Sequence, residues 1–328
     1  MAKRPTLKDV AQAAGVSLAT ASYALNKRGS VGQPTRDHVL KIATELGYRP
    51  NLSAKATRTG RSGAIGLILP DLTNPFFPSL AQIIIQTARH HEYGVFLTNT
   101  EGEPEAERQA AQQLVERGVD GIIWFPIADS DTAGPALGST PTVVVDRSLP
   151  EHDMVHADYE AGGRLAAKYL IDRGHRRVGV ISSPQVVLNG RQRSQGAIAY
   201  IERHGTLAFH VESEFTVDLD PDVVRALLND GATAVVAGAD LIAIGAIRAL
   251  QAAGRRVPED VSVIGFDDIP WAQLNSPRLT SVAMPIEEMG EEAVAMLMRR
   301  IASPADVKRR VVFNVTLSER DSVGPGPA

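Results

Sequence analysis

The side chains able to do chemistry fall into two groups. One group sits just after apolar runs. Asn74, Phe76 and Phe77 follow AIGLILP in DLTNPFFP, and Asp146 ends PTVVVDRS. Arg191 and Arg193 stand in NGRQRSQG, Asp240 closes TAVVAGAD, and Asp267, Asp268 and Trp271 lie in GFDDIPW. An arginine donates a fork of hydrogen bonds to two oxygens, a carboxylate accepts from two hydroxyls, and a flat ring covers C–H faces. That mixture suits a small polyhydroxylated molecule, a carbohydrate above all. Each charge could also be an ordinary loop charge or salt bridge. The other group lies at the start of the chain, in Thr6–Asn26, TLKDVAQAAGVSLATASYALN.

The elements that must position these groups can be read from periodicity. Leu7, Val10, Ala11 and Ala14 recur at i, i+3, i+4, i+7, one apolar helix face. Gly15 follows where a left-handed turn residue is wanted, Val16 can plug the angle, and Ser17 is a good cap for a second helix. In that helix Ala21, Ala24 and Leu25 point inward, leaving Leu18, Ala19, Ser22 and Tyr23 outside. The pattern fits a helix-turn-helix, whose second helix enters the DNA major groove, and it equally fits a plain helical hairpin. A third helix is expected from Pro34 to Leu46, with Gly47 ending it. Residues 48–63 are basic, lack large apolar side chains and read as a linker. From residue 64 strands and helices alternate: AIGLILP, Pro78 to His90, GVFLTNT, Glu103 to Arg117, VDGIIWFPI and PTVVVDRS. A second set follows: RRVGVISSP, Arg193 to His204, TAVVAGAD, Ile242 to Ala253, VSVIGFDD and a helix at Ile286 to Ile301. Such alternation implies parallel sheets covered by helices on both faces. By itself it permits two Rossmann-type domains of an enzyme as well as a two-lobed binding core.

Bulk properties narrow the choice. A chain of 328 residues suits two or three units, and 44% apolar content is ordinary for a protein with a proper core. There is no cysteine, which excludes disulfides, zinc-thiolate sites and a cysteine nucleophile and fits a reducing cytoplasm. MAKRPTLKDV lacks the apolar core of a signal peptide, and no apolar run reaches the roughly 18 residues of a membrane helix. Net charge is only −4, but residues 1–62 carry eleven Lys and Arg against three acids, an excess of eight positive charges that leaves the rest of the chain at −12. This partition points to a nucleic-acid-binding head on an acidic body. No G-x-G-x-x-G, G-x-x-x-x-G-K-S/T or G-x-S-x-G occurs. His152 and His156, with Asp153 and Asp158, imitate a metal cluster, but EHDMVHAD reads as a loop and crossover strand, so neither a metal nor a cofactor is expected. His90 and His91 suit a helix end.

The run TLKDVAQAAGVS-x-x-T-x-S-x-x-LN, continued by VGQPTRDHVLKIATELGYRPN and into the body, resembles the LacI/GalR family of bacterial transcription regulators over nearly the whole chain. The resemblance implies an all-α helix-turn-helix headpiece (1–48), a hinge helix and linker (49–62), and an α/β periplasmic-binding-protein-like (type I) core of two doubly wound subdomains (63–328). The N-subdomain would comprise about 63–158 and 284–316, and the C-subdomain about 159–283 and 317–328. It implies a repressor on a pseudo-palindromic double-stranded operator, controlled by a small-molecule effector, most often a sugar, in the cleft between subdomains. Leu18 and Ala19 would occupy the base-choosing positions, where they offer apolar contact to thymine methyls. Tyr23 stands where many members have arginine. Thr6, Ser17 and Thr20 would hold phosphates, and Ser22 and Asn26 complete the DNA-facing set. Asn51 to Arg58 would form the hinge helix in the minor groove, with Lys55 and Arg58 on phosphates or groove. Thr57 replaces the usual leucine wedge, so either the kink is weaker or another residue such as Leu52 compensates, and Gly32 replaces a usual serine cap. In the core, positions matching Asp146, Arg191 and Asp267 commonly touch the effector, with Asn74, Phe76, Asp240 and Trp271 as further contacts. Ala239 stands where the family often has asparagine. The tail carries no leucine heptads, so a homodimer is expected. Two alternatives stay open: a solute-binding or sensor protein without DNA function, and a sugar-phosphate or nucleotide enzyme on the same scaffold.

Overall fold

The structure, a computed structural model, describes residues 5–26, 31–48 and 60–327. Lys55, Thr57 and Arg58, with the segment expected to form the hinge helix, lie outside the described residues. The chain divides into two units, 1–62 and 63–328.

In the first unit, helices Leu7–Ala13, Leu18–Leu25 and Gln33–Glu45 enclose a core of Val10, Ala11, Ala14, Ala21, Ala24, Val39 and Ala43. Alanine at most of these positions lets the helix axes approach closely, so a very small domain still excludes water from its centre. Each end is specified locally. Thr6 and Asp9 form a reciprocal capping box, with Thr6 N donating to Asp9 Oδ2 at 2.7 Å and Asp9 N to Thr6 Oγ1 at 3.3 Å. Gly15 takes φ +64°, and Val16 N then reaches back to Ala11 O at 3.0 Å. Thr20 N donates to Ser17 Oγ at 3.0 Å, capping the second helix, while Gly32 gives the third helix no side-chain cap.

The second unit holds two sheets. β1 (Ala64–Leu69), β2 (Gly94–Asn99), β3 (Ile122–Trp124), β4 (Thr142–Val145), β5 (Asp153–Ala157) and β11 (Arg310–Phe313) form a wholly parallel sheet in the order β11-β5-β4-β3-β1-β2. β6 (Arg177–Ser182), β7 (Thr206–Glu212), β8 (Ala234–Ala237), β9 (Ser262–Asp267), β10 (Thr280–Ala283) and β12 (Thr316–Ser318) form the other, in the order β12-β10-β9-β8-β6-β7. Only β12 runs antiparallel to its neighbour. The first five strands of each half share one doubly wound order, so the order reverses at β1/β3 and again at β6/β8, where such sheets open a crevice at their carboxyl ends. Strands buried on both faces explain the continuous apolar runs AIGLIL and AVVA. The chain passes from the first sheet to the second after β5, back after β10 through helix Ile286–Ala302, which packs on helix Phe76–His90, and over again between β11 and β12.

The structure departs from periodicity in informative places. β3 is short because Pro126, lacking an N–H, takes the chain out of the ladder. Helix Leu188–His204 starts more than a turn before the expected Arg193, which brings Asn189 and Arg191 into the helix. Helix Tyr159–Asp172 packs on it through glycines. A Cβ on Gly163 would come within 1.9 Å of Arg193 O, and one on Gly196 within 2.1 Å of Glu160 O. Backbone faces backbone at both points, so neither side can give. Gly196→Ala is therefore expected to cost about 1–3 kcal/mol, read as a lowered melting temperature of the core in thermal unfolding followed by circular dichroism, with Gly163→Ala behaving alike.

Candidate effector cleft and DNA-reading helix

The two lobes of the core meet across the carboxyl ends of their strands. Three non-glycine residues in left-handed backbone mark the place: Asp146, just past β4, at φ +68°, and Asp267 and Asp268, at the end of β9, at φ +107° and +55°. Aspartate tolerates this region better than most residues, and such backbone persists where the surroundings over-determine it. The Asp146 and Asp267 carboxylates are buried.

Asp146 is a hub between lobes. Tyr159 Oη donates a hydrogen bond to its Oδ1, Asn189 Nδ2 donates to Oδ2 at 2.9 Å, and the neighbouring Arg147 guanidinium also contacts Oδ2. Burial, reinforced by the Asp146 charge, pushes the Tyr159 phenol well above its usual range, so it stays a donor. Asp267 faces Arg193, whose Nη1 lies 2.9 Å from Oδ1. The same Nη1 also donates to Gly238 O at 2.9 Å. The Arg193 guanidinium stacks over Phe266 at 4.0 Å and Tyr159 at 5.1 Å. Burial pushes the Asp267 carboxyl up to about 6, against the pull of Arg193 and with a further push from Asp146. Several buried polar atoms around these strand ends have hydrogen-bonding capacity that the protein does not use: Arg147 Nε on the first lobe, Ser183 Oγ and Arg193 Nε on the second. Buried polar groups are nearly always paired, so their convergence from two lobes marks a site for a polar ligand.

The expected contacts sort clearly. Asp146 and Asp267 are brought to one cleft. Arg193, rather than Arg191, is the arginine between them. The two residues are two positions apart on a helix, about 200° around it, and so face opposite ways. Asn189, at i−4 from Arg193, shares its face and was not singled out from the sequence. The spacing N-x-x-x-R was the available signal, obscured by placing the helix start too late. Arg191 turns to the rim, where it meets Asp129 and Gln185 O. Asp240 is wholly buried and spends both oxygens on the protein, accepting from Ser281 Oγ at 2.6 Å and Ile269 N at 2.8 Å. It is a bracket for the loop after β9 and does not face the cleft. Asn74 is buried, its Oδ1 accepting from Phe76 N at 3.1 Å, so the amide starts the helix. Phe76 is a core ring, edge-on to Phe77, which in turn meets Phe125. Trp271 is about half exposed at the head of a four-residue helix. Phe215, in the loop after β7 at the same sheet edge, is partly exposed and went unremarked in the sequence. His156 is engaged by Arg310 Nε at 2.7 Å and Ala157 O, and burial holds it below the usual imidazole range. His152 lies edge-on to Trp124.

On the first unit, Leu18 is 53% and Tyr23 51% exposed on the outer face of the second helix, beside half-buried Ser22 and exposed Ala19. Ser17 and Thr20 share a 2.8 Å hydroxyl contact at its N-terminus, and Asn26 Nδ2 returns to Ser22 O at 2.7 Å. Thr6 is bound up in its capping box.

A trihelical head with an exposed second helix, followed by a two-lobed core with a polar interlobe cleft, defines a ligand-responsive DNA-binding regulator. Residues 6–51 match the profile of the bacterial regulatory proteins, lacI family, and residues 167–323 match a periplasmic binding protein-like domain. The ribose operon repressor of Halalkalibacterium halodurans is 35% identical over 312 residues, covering 93% of each chain. The Lac repressor dimer bound to operator and the anti-inducer ONPF is similar with a TM-score of 0.86 at 27% identity, covering 98% of this chain and 100% of that one. A LacI family regulator from Enterococcus faecium with bound ribose gives 0.72 at 29% identity, over 80% of this chain and 99% of that one. The chain belongs to the lacI family of bacterial regulatory proteins, and it is a DNA-binding transcription regulator.

The Asp267 carboxyl provides a test of the cleft's electrostatics. Its folded value lies above its unfolded one, so the folded state holds the extra proton between about pH 4 and 6. The stability that proton confers is full below that window and lost as pH rises through about 6. A carbon-13 titration of the Asp267 carboxyl should show a midpoint near 6, and Arg193→Gln, removing the cation that holds it down, should move the midpoint higher still.

Proposed function

We propose that the chain is a repressor that releases or grips its operator according to an unphosphorylated sugar bound between the lobes of its core. The observation that carries this reading is the charge balance of the cleft. Arg193 already faces Asp267, and Arg147 already faces Asp146. Two cations meet two carboxylates, leaving none over for a phosphate, while the unused donors and acceptors suit hydroxyl groups that give and take together. The Tyr159 and Phe266 rings lie beneath the Arg193 guanidinium and hold it in place. The relatives named for ribose, and the one with ribose bound, make D-ribose the first molecule to try.

On the DNA side, the basic excess of residues 1–62 supplies the salt-dependent part of binding, and Leu18, Ala19, Ser22 and Tyr23 face the bases. Thr6, Ser17, Thr20 and Asn26 contribute at the backbone. A homodimer gives the two-fold symmetry that a pseudo-palindromic operator requires. Lys55, Thr57 and Arg58 follow into the minor groove, Thr57 as a small polar wedge that kinks DNA less than leucine would. A regulator of this kind works in the cytoplasm, and the cleft binds its sugar without turning it over.

The test joins both sites. Purified protein is used to select fragments from the source genome, and the selected operator is titrated with a panel of neutral and phosphorylated sugars. The expected result is a pseudo-palindrome whose affinity changes by about 5- to 150-fold with one neutral sugar. Asp267→Ala should keep operator binding within about twofold, since the head carries that term, and lose the sugar response. Absence of any enriched fragment at low salt, with or without sugars, would overturn the reading, as would undiminished sugar affinity of Asp267→Ala in calorimetry.

A further inference from the structure

Away from Asp146 and Asp267, a second set of contacts crosses the cleft at its rim. Asp129 lies in the loop after β3 on the first lobe. Its Oδ2 accepts from Leu188 N at 2.6 Å and from Arg191 Nη2 at 3.1 Å, both on the second lobe. Leu188 opens a 17-residue helix, so the carboxylate also meets the positive end of a long macrodipole. The carboxylate is mostly buried, with 24% of its side-chain surface exposed.

An exposed ion pair would contribute little, because ordering two long side chains offsets the attraction. Here both partners are ordered beforehand. On the first lobe, the Asp129 loop is tied to Glu107, a wholly buried carboxylate that accepts from Trp124 Nε1 at 2.8 Å and Ile127 N at 3.0 Å, and from Thr132 Oγ1. On the second lobe, Arg191 Nη1 donates to Gln185 O at 2.8 Å. Gln185 is itself fixed, its Nε2 donating to Ser183 O at 2.6 Å and its Oε1 accepting from Ser194 Oγ at 2.9 Å. Two prepared surfaces thus meet through a single oxygen.

We infer that Asp129 is a latch that holds the two lobes closed, with Leu188 N and Arg191 as its keeper, and that it sets the open-to-closed ratio of the core independently of whatever binds inside. It is a positioning residue: it fixes the end of the helix that carries Asn189 and Arg193, and does not itself face Asp267. The inference does not rest on the cleft's ligand being a sugar.

The chain contains no cysteine, which permits a direct test. Leu72→Cys on the first lobe and Val186→Cys on the second, both at exposed loop positions, take spin labels in the full-length protein without ligand or DNA. Electron–electron double resonance then reads the distance between lobes. Asp129→Ala and, separately, Arg191→Gln should each raise the share of a longer-distance population by roughly tenfold, the scale of a charge-assisted contact at a helix terminus. Combining them should add little beyond either alone. Raising salt from about 0.05 to 0.5 M should widen the distribution of the parent and leave that of Asp129→Ala unmoved, a response that a loss of loop packing would not produce. Unchanged distributions in both single variants, or identical salt responses of parent and variant, would overturn the latch. Since neither sugar nor operator is present, that failure would leave the regulator reading standing.

Discussion

The burial of Arg193 is the constraint on which the core depends. A guanidinium with 6% of its side chain exposed must be offset by charge, by hydrogen bonds or by aromatic faces, and here all three converge. Asp267 supplies the charge, Gly238 O a hydrogen bond, and Phe266 and Tyr159 the rings. Delivering them requires several local oddities at once. Asp267 adopts a left-handed backbone at a strand end. Gly162 leaves room for the Phe266 ring, which a Cβ would meet at 2.6 Å. Gly163 and Gly196 let the two helices touch backbone to backbone, which seats Arg193 at its depth. Together they hold a charged, partly unsatisfied group where a ligand of matched polarity can complete it.

The head solves a different problem with different means. Its core is mostly alanine, so it gains little from burial, and its stability leans on caps: the Thr6–Asp9 box, Ser17 over Thr20 N, and the Gly15 and Gly47 turns. The same hydroxyls and N–H groups that end its helices are the groups a phosphate would accept from. Local specification of this kind leaves the outer face of the second helix free to carry large apolar side chains, Leu18 and Tyr23, whose exposure adds nothing to folding.

Much of this was legible in the sequence, for physical reasons that differ by region. The head follows from period 3.6 with caps and turn glycines at fixed offsets, and every local choice agrees. Doubly buried strands such as β1 and β8 announce themselves as apolar runs. Asp146 and Asp267 could be found because they close such runs. What failed was phase. With the start of helix Leu188–His204 placed late, Arg191 and Arg193 could not be told apart, although only one faces inward. Asp240 looked like another strand-end carboxylate, yet its oxygens turn to Ser281 and Ile269, residues far away in sequence. β7, the helix after it, β11 and β12 were missed because these elements are half exposed and carry weak patterns. Asn189 and the Asp129 contacts depend on the two lobes meeting, which no local pattern records.

The division of labour between cleft and rim bears on how such a core can be both tight and responsive. A hydroxyl that entered beside Asp146 would compete with its contacts to Asn189 and Tyr159, so a ligand there would replace part of what holds the lobes together. Were these the only ties, binding would weaken closure as it filled the cleft. Contacts at Asp129 escape that competition, because they lie on the opposite side of the same helix from Arg193. Three chain crossings, after β5, after β10 and between β11 and β12, confine relative motion to a hinge and forbid free separation. A ligand then shifts the equilibrium only by its differential affinity for the two arrangements. Ties outside its reach fix the starting point of that shift. The coupling energy between ligand and DNA is one quantity seen from either end, so residues that never touch either partner can still set how much of it is expressed.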